Sequence, residues 1–154
     1  MIRIITDSTC EAPPEILRHP AVTVLPLSVV FGQEALRDGI DITREQFWRR
    51  LPASNPLPTT SQASPSDFLG PFQELTEAGH EVIAIVISSK LSGTHSSAIV
   101  AYESNPGWPV EVIDSKSVSV GLGLLVQEAL RMVEAGATRA EIVARILALR
   151  EQVQ

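Results

Sequence analysis

Short apolar runs alternate with helical patterns along this chain, and that alternation predicts its fold. The runs are residues 2–5, 22–31 (interrupted by Pro26), 82–87 and 110–113. Short runs that are apolar at most positions are typical of strands buried on both faces of a parallel sheet. Because helical segments separate them, we expect an α/β fold with three layers: a doubly wound, mostly parallel sheet with helices on both faces.

Start signals mark the first helical segments. A capping box that opens at Thr43 predicts a helix to about residue 51, because its side chains satisfy the free amides of a first turn. The pair Ser64-Pro65 combines a cap with a first-turn proline and predicts the next helix. Between these helices, the proline-rich residues 52–65 are predicted to form a loop, whose length indicates a functional role.

Two further helices are predicted near the end of the sequence. Residues 119–134 are apolar at helical spacing, and Gly136 then ends the pattern. Thr138 and Glu141 form another capping box, which opens a last helix with an apolar stripe. These helices complete the alternation that the fold class requires.

The most distinctive stretch chemically is residues 88–97, where hydroxyl side chains crowd around Gly93 between a predicted strand and a predicted helix. Free amides at a helix start, and the positive end of its dipole, favour a carboxylate or phosphate. Ligands of an open parallel sheet bind outside the carboxyl ends of its strands. We therefore expect three more polar segments, residues 7–9, 59–62 and 114–117, to join a site rich in neutral donors.

Charge and cysteine content exclude several classes of function. The formal net charge is −6 and the pI is near 5.0, with no lysine or arginine block, which argues against a nucleic-acid partner. Cys10 is the only cysteine, so neither an intrachain disulfide nor a cysteine zinc site is possible, and we interpret it as a packing residue. No run resembles a signal peptide or a membrane span, so we expect a cytoplasmic protein without membrane insertion.

Nucleotide, metal and cofactor binding are not supported by motifs. Neither G-x-G-x-x-G nor the P-loop pattern occurs. Gly121 and Gly123 lack a third glycine and indicate close helix packing instead. His19, His80 and His95 lie in separate segments, which favours surface positions over a metal site. We therefore predict no cofactor and no metal.

Serine-dependent hydrolysis of small esters is the alternative hypothesis, with Ser92 as the nucleophile and His95 nearby. It is weak, because the segment is not a G-x-S-x-G elbow and His95 has no evident residue to orient it. A simpler interpretation is that Ser89 or Ser92 is only the N-cap of the following helix.

A carboxylate with an apolar tail fits these residues better. Hydroxyls from Thr60 and Ser92 can donate to its oxygens, and the 44% hydrophobic content leaves apolar side chains to line a tunnel. Burial of the tail contributes about 0.8 kcal/mol per methylene. The tail would thus supply affinity and the hydroxyls would fix orientation.

Seven motifs in the same order resemble those of the DegV family of bacterial fatty-acid-binding proteins. They are T-D-S-T at 6–9, V-L-P-L at 24–27, D-G-I-D-I at 38–42, T-S-Q-A-S-P at 60–65, I-S-S-K-L-S-G-T at 87–94, D-S-K-S at 114–117 and G-L-G at 121–123. Each motif alone is weak, but their shared order over residues 1 to about 135 is specific.

The resemblance implies a long-chain fatty acid in a cleft, with its carboxylate bound by Thr60 and Ser92 and supported by Ser61, Gly93 and Thr94. It also implies that some members present the bound fatty acid to a fatty acid kinase, which forms the acyl phosphate used in phospholipid metabolism. In that scheme this chain is a lipid-binding carrier and not an enzyme. It has no catalytic residue of its own, and the ATP chemistry belongs to the partner.

Two departures from the family pattern matter. Ala63 stands where a proline is usual, which changes the stiffness of the loop more than its chemistry. The family also has a carboxyl-terminal domain that covers the acyl chain. We therefore expect residues 1–154 to be the amino-terminal α/β domain with this lid domain absent. The uncovered cleft predicts a possible homodimer.

Overall fold

The computed structural model describes residues 1–153 as an α/β domain. The strands are β1 (Ile2–Asp7), β2 (Val22–Leu25), β3 (Ser28–Phe31), β4 (Glu34–Arg37), β5 (Thr59–Ser61), β6 (Glu81–Val86) and β7 (Val110–Asp114). The helices are α1 (Pro14–Leu17), α2 (Arg44–Arg50), α3 (Pro65–Glu77), α4 (Thr94–Glu103), α5 (Ser119–Glu134) and α6 (Arg139–Leu149), and a 3-10 turn covers Leu51–Ala53.

The central sheet is fully parallel, in the order β2-β1-β6-β7. Successive residues of a strand point to opposite faces, and both faces of this sheet are buried. On one face, Ile4 and Ile83 pack in a core with α5 and α6, whereas on the other, Ile5 joins Phe68 and Phe72 of α3. The predicted three-layer fold is therefore confirmed.

A second, antiparallel sheet was not predicted. It has the order β4-β3-β5 and begins within the apolar run 22–31, which we expected to be one strand. Pro26 has no backbone N–H to donate to a ladder. The chain therefore leaves the parallel sheet after Leu25 and starts β3 at Ser28. The predicted loop over residues 52–65 also contains β5, which pairs with β3.

The predicted helix starts are confirmed. The hydroxyl of Thr43 accepts from the Gln46 amide at 3.2 Å, and α5 has the predicted bounds. The expected close helix packing is clear at Gly123, where a β-carbon would lie 1.9 Å from the backbone oxygen of Glu11. Within residues 1–153, no helix is both long enough and apolar enough to cross a bilayer.

Helices α5 and α6 are joined by an acidic residue between two arginines. Glu128 accepts from Arg131 at 2.8 Å and from Arg145 at 2.8 Å. Hydrogen bonds from Arg131 and then Arg145 lower the pKa of Glu128 from 4.5 to about 2. The carboxylate therefore stabilises the contact between these helices in its charged form.

The prediction that Cys10 is a packing residue agrees with its position. The side chain is 4% exposed within the core between the sheet and α5. Burial raises the pKa of the Cys10 thiol to about 11. A thiol so rarely ionised is a poor nucleophile.

Candidate functional site

A cavity of about 310 Å³ lies where the ends of β1 and β6 meet the small sheet. We call it the carboxyl-edge cavity. Its lining residues are Ser8, Thr9, Leu27, Ser28, Val29, Asp38, Thr60, Gln62, Ile87, Leu91, Ser92 and Gly93. Thr60 and Ser92, which sequence analysis singled out, line this one cavity together with Gly93. This volume is at the lower end of the range for small-ligand pockets, roughly 300–1,000 Å³.

The small sheet forms the wall that carries Thr60. Thr60 pairs with Val29 across the β3–β5 ladder. Residues two apart on a strand share a face, so Leu27 and Gln62 lie on the same side as this pair. Ser61 points to the other face of β5 and is absent from the lining. Ser61, for which we predicted a supporting role, therefore does not line the cavity.

The amide and the hydroxyl of Thr94 both contact the Ser92 hydroxyl. Its Oγ accepts the backbone N–H of Thr94 at 3.2 Å and lies 2.9 Å from the Thr94 hydroxyl. If the Thr94 hydroxyl donates in that pair, both lone pairs of the Ser92 oxygen are used and its O–H is free to donate into the cavity. Thr94 is fully buried and outside the lining, so it can act only through Ser92.

Gln62 joins the small sheet to α4. Its amide Nε2 donates to the Ser97 hydroxyl at 3.2 Å. The side chain crosses directly over Gly93, where an added β-carbon would lie 2.1 Å from Oε1 of Gln62. Glycine at position 93 therefore gives Gln62 the room to reach α4, and this contact brings the Thr60 and Ser92 walls together.

The floor of the cavity is fixed by Asp7, which is fully buried at the end of β1. One carboxylate oxygen accepts the Ile87 amide at 2.7 Å, and the other accepts the Thr9 amide at 3.0 Å and hydroxyl at 2.5 Å. Ser8 next to it accepts the Leu27 amide at 3.1 Å. Charge-assisted bonds of this kind are short and strong. Asp7 thus holds β1 and β6 in the arrangement that forms the floor.

The polar segment after β7 does not line the cavity, contrary to our expectation. Asp114 instead accepts from the Ser89 amide at 3.1 Å and hydroxyl at 2.5 Å. Burial acts to raise the pKa of Asp114, but the hydrogen bonds from Ser89 and from the Lys116 amide outweigh it and lower the pKa. The segment therefore has a structural role and fixes the loop that follows β6.

The geometry disfavours the other chemistries considered from sequence. Within the described residues, Ser92 bonds to Thr94 and not to His95, so no base is in place for hydrolysis. The N-cap of α4 is Gly93, so the interpretation of Ser89 or Ser92 as the N-cap is wrong. Across residues 1–153, no group of three or more His, Cys, Asp or Glu side chains could hold a metal ion.

A larger groove of about 580 Å³ lies elsewhere, between α1, α5 and α6. We call it the α5–α6 groove. Its lining includes Ile16, Leu130 and Leu149, and its charged residues are Glu15, Glu128, Arg131, Glu134 and Arg145. Several of these charges already pair with each other. Because it lies away from the carboxyl ends of the strands, where open α/β sheets bind ligands, we favour the smaller cavity as the site.

Four lining residues from the hairpin region, Leu27, Ser28, Val29 and Asp38, were not identified as site residues from sequence. They reach the cavity only because β3 and β4 form a hairpin beside β5. The turn at Gly32, with a φ of 63°, was the available signal. A two-residue loop with glycine in the left-handed region is typical of hairpins.

An open parallel sheet with a hydroxyl-lined cavity at its carboxyl edge defines an α/β domain with a small-ligand site. The whole chain, residues 1–154, matches the family model described as "Uncharacterised protein, DegV family". The chain therefore belongs to the DegV family.

Relatives extend well beyond this domain. A DegV domain-containing protein of Clostridium perfringens is 38% identical over 153 residues, which cover 99% of this chain and 55% of that protein. The chain spans about half the length of the curated relatives it matches.

Two solved structures link this fold to named ligands. "Fatty Acid Binding of a DegV family Protein from Thermus thermophilus" has a TM-score of 0.88 at 35% identity, over 97% of this chain and 53% of that one. The "Streptococcus pneumoniae Fatty Acid Kinase (Fak) B3 protein loaded with linoleic acid" has a TM-score of 0.83 at 25% identity, over 98% of this chain and 54% of that one.

Proposed function

We propose that this domain binds the carboxylate of a long-chain fatty acid in the carboxyl-edge cavity, without catalysing a reaction. The observation that carries the proposal is the shared position of Thr60 and Ser92 on two walls of one cavity. Two similar proteins of known structure support it: the Thermus thermophilus protein is described by its fatty acid binding, and the pneumococcal protein is loaded with linoleic acid.

Three features suit a carboxylate head group. The exposed Thr60 hydroxyl has no hydrogen-bond partner within residues 1–153, so it is free to donate. In this proposal the Thr94 hydroxyl donates to Ser92, as the Thr94 amide does, and the Ser92 proton is left to donate to the ligand. The ten-residue helix α4 begins beside the cavity, and the positive end of its dipole favours an anion. Neutral donors and a dipole can thus hold one negative charge.

The apolar part of the lining suits the first methylenes of an acyl chain. Leu27 and Ile87 are buried, whereas Leu91 is 64% exposed and can fold over a ligand. Each buried methylene contributes about 0.8 kcal/mol. A cavity of about 310 Å³ is small for a long chain, so we infer that the rest of the tail needs cover from outside this domain.

We further propose that the bound fatty acid is presented to a fatty acid kinase. Support comes from the similarity to the pneumococcal Fatty Acid Kinase B3 protein. Thr60 is exposed, so a carboxylate bound to its hydroxyl lies at the surface of the domain, where a partner can reach it. The phosphate donor would belong to that partner.

The test begins with organic extraction and mass spectrometry of purified protein, followed by calorimetric titration with decanoate. We expect Thr60→Ala and Ser92→Ala each to weaken binding about tenfold, because a hydrogen bond to a charged group contributes about 1.5 kcal/mol or more. The matched controls are Thr59→Ala, on the other face of β5, and Ser96→Ala, an exposed serine of α4.

The controls should bind as the unchanged protein does. If no fatty acid is extracted and no binding of decanoate is measurable, the proposed ligand class is overturned. Normal binding by both Thr60→Ala and Ser92→Ala would overturn the assignment of the head-group site. Turnover of a small ester that is lost in Ser92→Ala would favour the hydrolase alternative.

A further inference from the structure

The carboxyl-edge cavity contains one ionisable side chain, and its charge has the same sign as the proposed ligand. Among the twelve lining residues, Asp38 alone carries a titratable group. Within residues 1–153 its carboxylate makes neither a hydrogen bond nor an ion pair, although its backbone N–H donates to Leu27 at 2.8 Å. The neighbouring Asp41, by contrast, is paired with Arg37.

The strand register defines how Asp38 faces the head-group site. Ser28 pairs with Arg37 on one side and with Ser61 on the other. One residue further along the three strands, Leu27 therefore lies between Asp38 and Gln62. These three residues are on the face of the sheet that also carries Thr60. Strands lie about 4.8 Å apart and rise about 3.4 Å per residue, so Asp38 and Thr60, two strands and two residues apart, are separated by roughly 12 Å across the cavity.

We propose that Asp38 selects ligands by the charge of their head group. The proposal rests on the proposed function, since it requires an anionic head group near Thr60 and Ser92. An unpaired carboxylate about 12 Å away repels a monoanion moderately and a dianion twice as strongly in free energy. Asp38 thus favours a fatty acid over its phosphorylated analogue and favours departure of a phosphorylated product.

Coulomb's law gives the size of the effect. At roughly 12 Å, and with an effective dielectric constant between about 20 and 80, one carboxylate weakens the binding of a monoanion about twofold to tenfold. We take about threefold as the expected factor for a monoanion. For a dianion the expected factor is its square, about tenfold. An uncharged head group should be unaffected.

The experiment measures the affinities of decanoate, decyl phosphate and decanol for the unchanged protein and for Asp38→Asn. It is run at pH 8, where the phosphate is close to a dianion, and at low ionic strength, where screening is weakest. Asp38→Ser is a second neutral variant, and Glu103→Gln on the exposed end of α4 is a matched change in net charge. Circular dichroism melting checks that each variant is folded.

We expect both neutral variants to bind decanoate about threefold and decyl phosphate about tenfold more tightly, with decanol and Glu103→Gln unchanged. These gains should shrink in high salt. Equal factors for all three ligands, or no gain for decyl phosphate, would overturn the charge-selection proposal while leaving fatty acid binding intact. Failure of the unchanged protein to bind decanoate would overturn the proposed function as well.

Discussion

The contact between Gln62 and Gly93 gives the sharpest structural prediction, because it involves only two residues and one steric overlap. A β-carbon at position 93 would lie 2.1 Å from Oε1 of Gln62 and 2.7 Å from its Nε2. Non-bonded atoms do not approach this closely, so the Gln62 side chain must move away in Gly93→Ala. Its hydrogen bond to Ser97 is then lost.

The magnitude follows from that one bond. A neutral side-chain hydrogen bond contributes about 1 kcal/mol net to stability. Gly93 has a φ of −76°, which any residue adopts, so the backbone adds no strain of its own. Gly93→Ala should therefore cost about 1 kcal/mol more in the unchanged protein than in a Gln62→Ala background, where the obstructing side chain is absent.

The assay is a double-mutant cycle measured by urea unfolding of four proteins: unchanged, Gly93→Ala, Gln62→Ala and the pair. Because the contact also joins the walls that carry Thr60 and Ser92, decanoate affinity should show the same coupling. Additivity within about 0.3 kcal/mol in both measurements would refute the reasoning, since uncoupled sites add to that degree.

The remaining predictions concern packing, pH and assembly. Gly123→Ala should lower the free energy of unfolding by about 2 kcal/mol, because the new methyl group meets the backbone of Glu11; a loss below about 1 kcal/mol in urea unfolding would contradict this. Glu128→Gln should lower the free energy of unfolding by about 1 kcal/mol at pH 7, allowing for solvent screening of the ion pairs. Since the pKa of Glu128 in the folded protein is lowered to about 2, this contribution is present above about pH 4.5 and is lost as the pH falls toward 2. Melting curves of the unchanged protein and of Glu128→Gln should therefore converge near pH 2. A difference that stays constant with pH would contradict this. The homodimer stays a prediction, and a strict monomer by light scattering at high concentration would count against it.

Sequence patterns predicted the elements that have strong local signals. The apolar runs that became β1 and β6 lie in the middle of the parallel sheet and are buried on both faces, so almost every position carries the signal. The capping box at Thr43 needs only residues three apart, and its prediction is confirmed. Such elements are encoded within a few neighbouring residues.

The small sheet could not be predicted in the same way. Strand β5 is exposed at all three positions and β4 at three of four, so neither has an apolar pattern. The pairing of β5 with β3 also joins residues about 30 apart. For the same reason Thr60 was identified only by its hydroxyl. The placement of Asp38 on the same face, two strands away, required the register of the folded hairpin.

The central claim is that the ligand's head group lies between Thr60 and Ser92. It is tested most directly by isotope-filtered NMR of bound decanoate, which reads contacts from the protons on carbon 2, next to the carboxylate. We predict cross-peaks to the γ-methyl group of Thr60 and the β-protons of Ser92. Cross-peaks from those protons to Leu130 and Leu149 of the α5–α6 groove, with none to Thr60 or Ser92, would contradict the account.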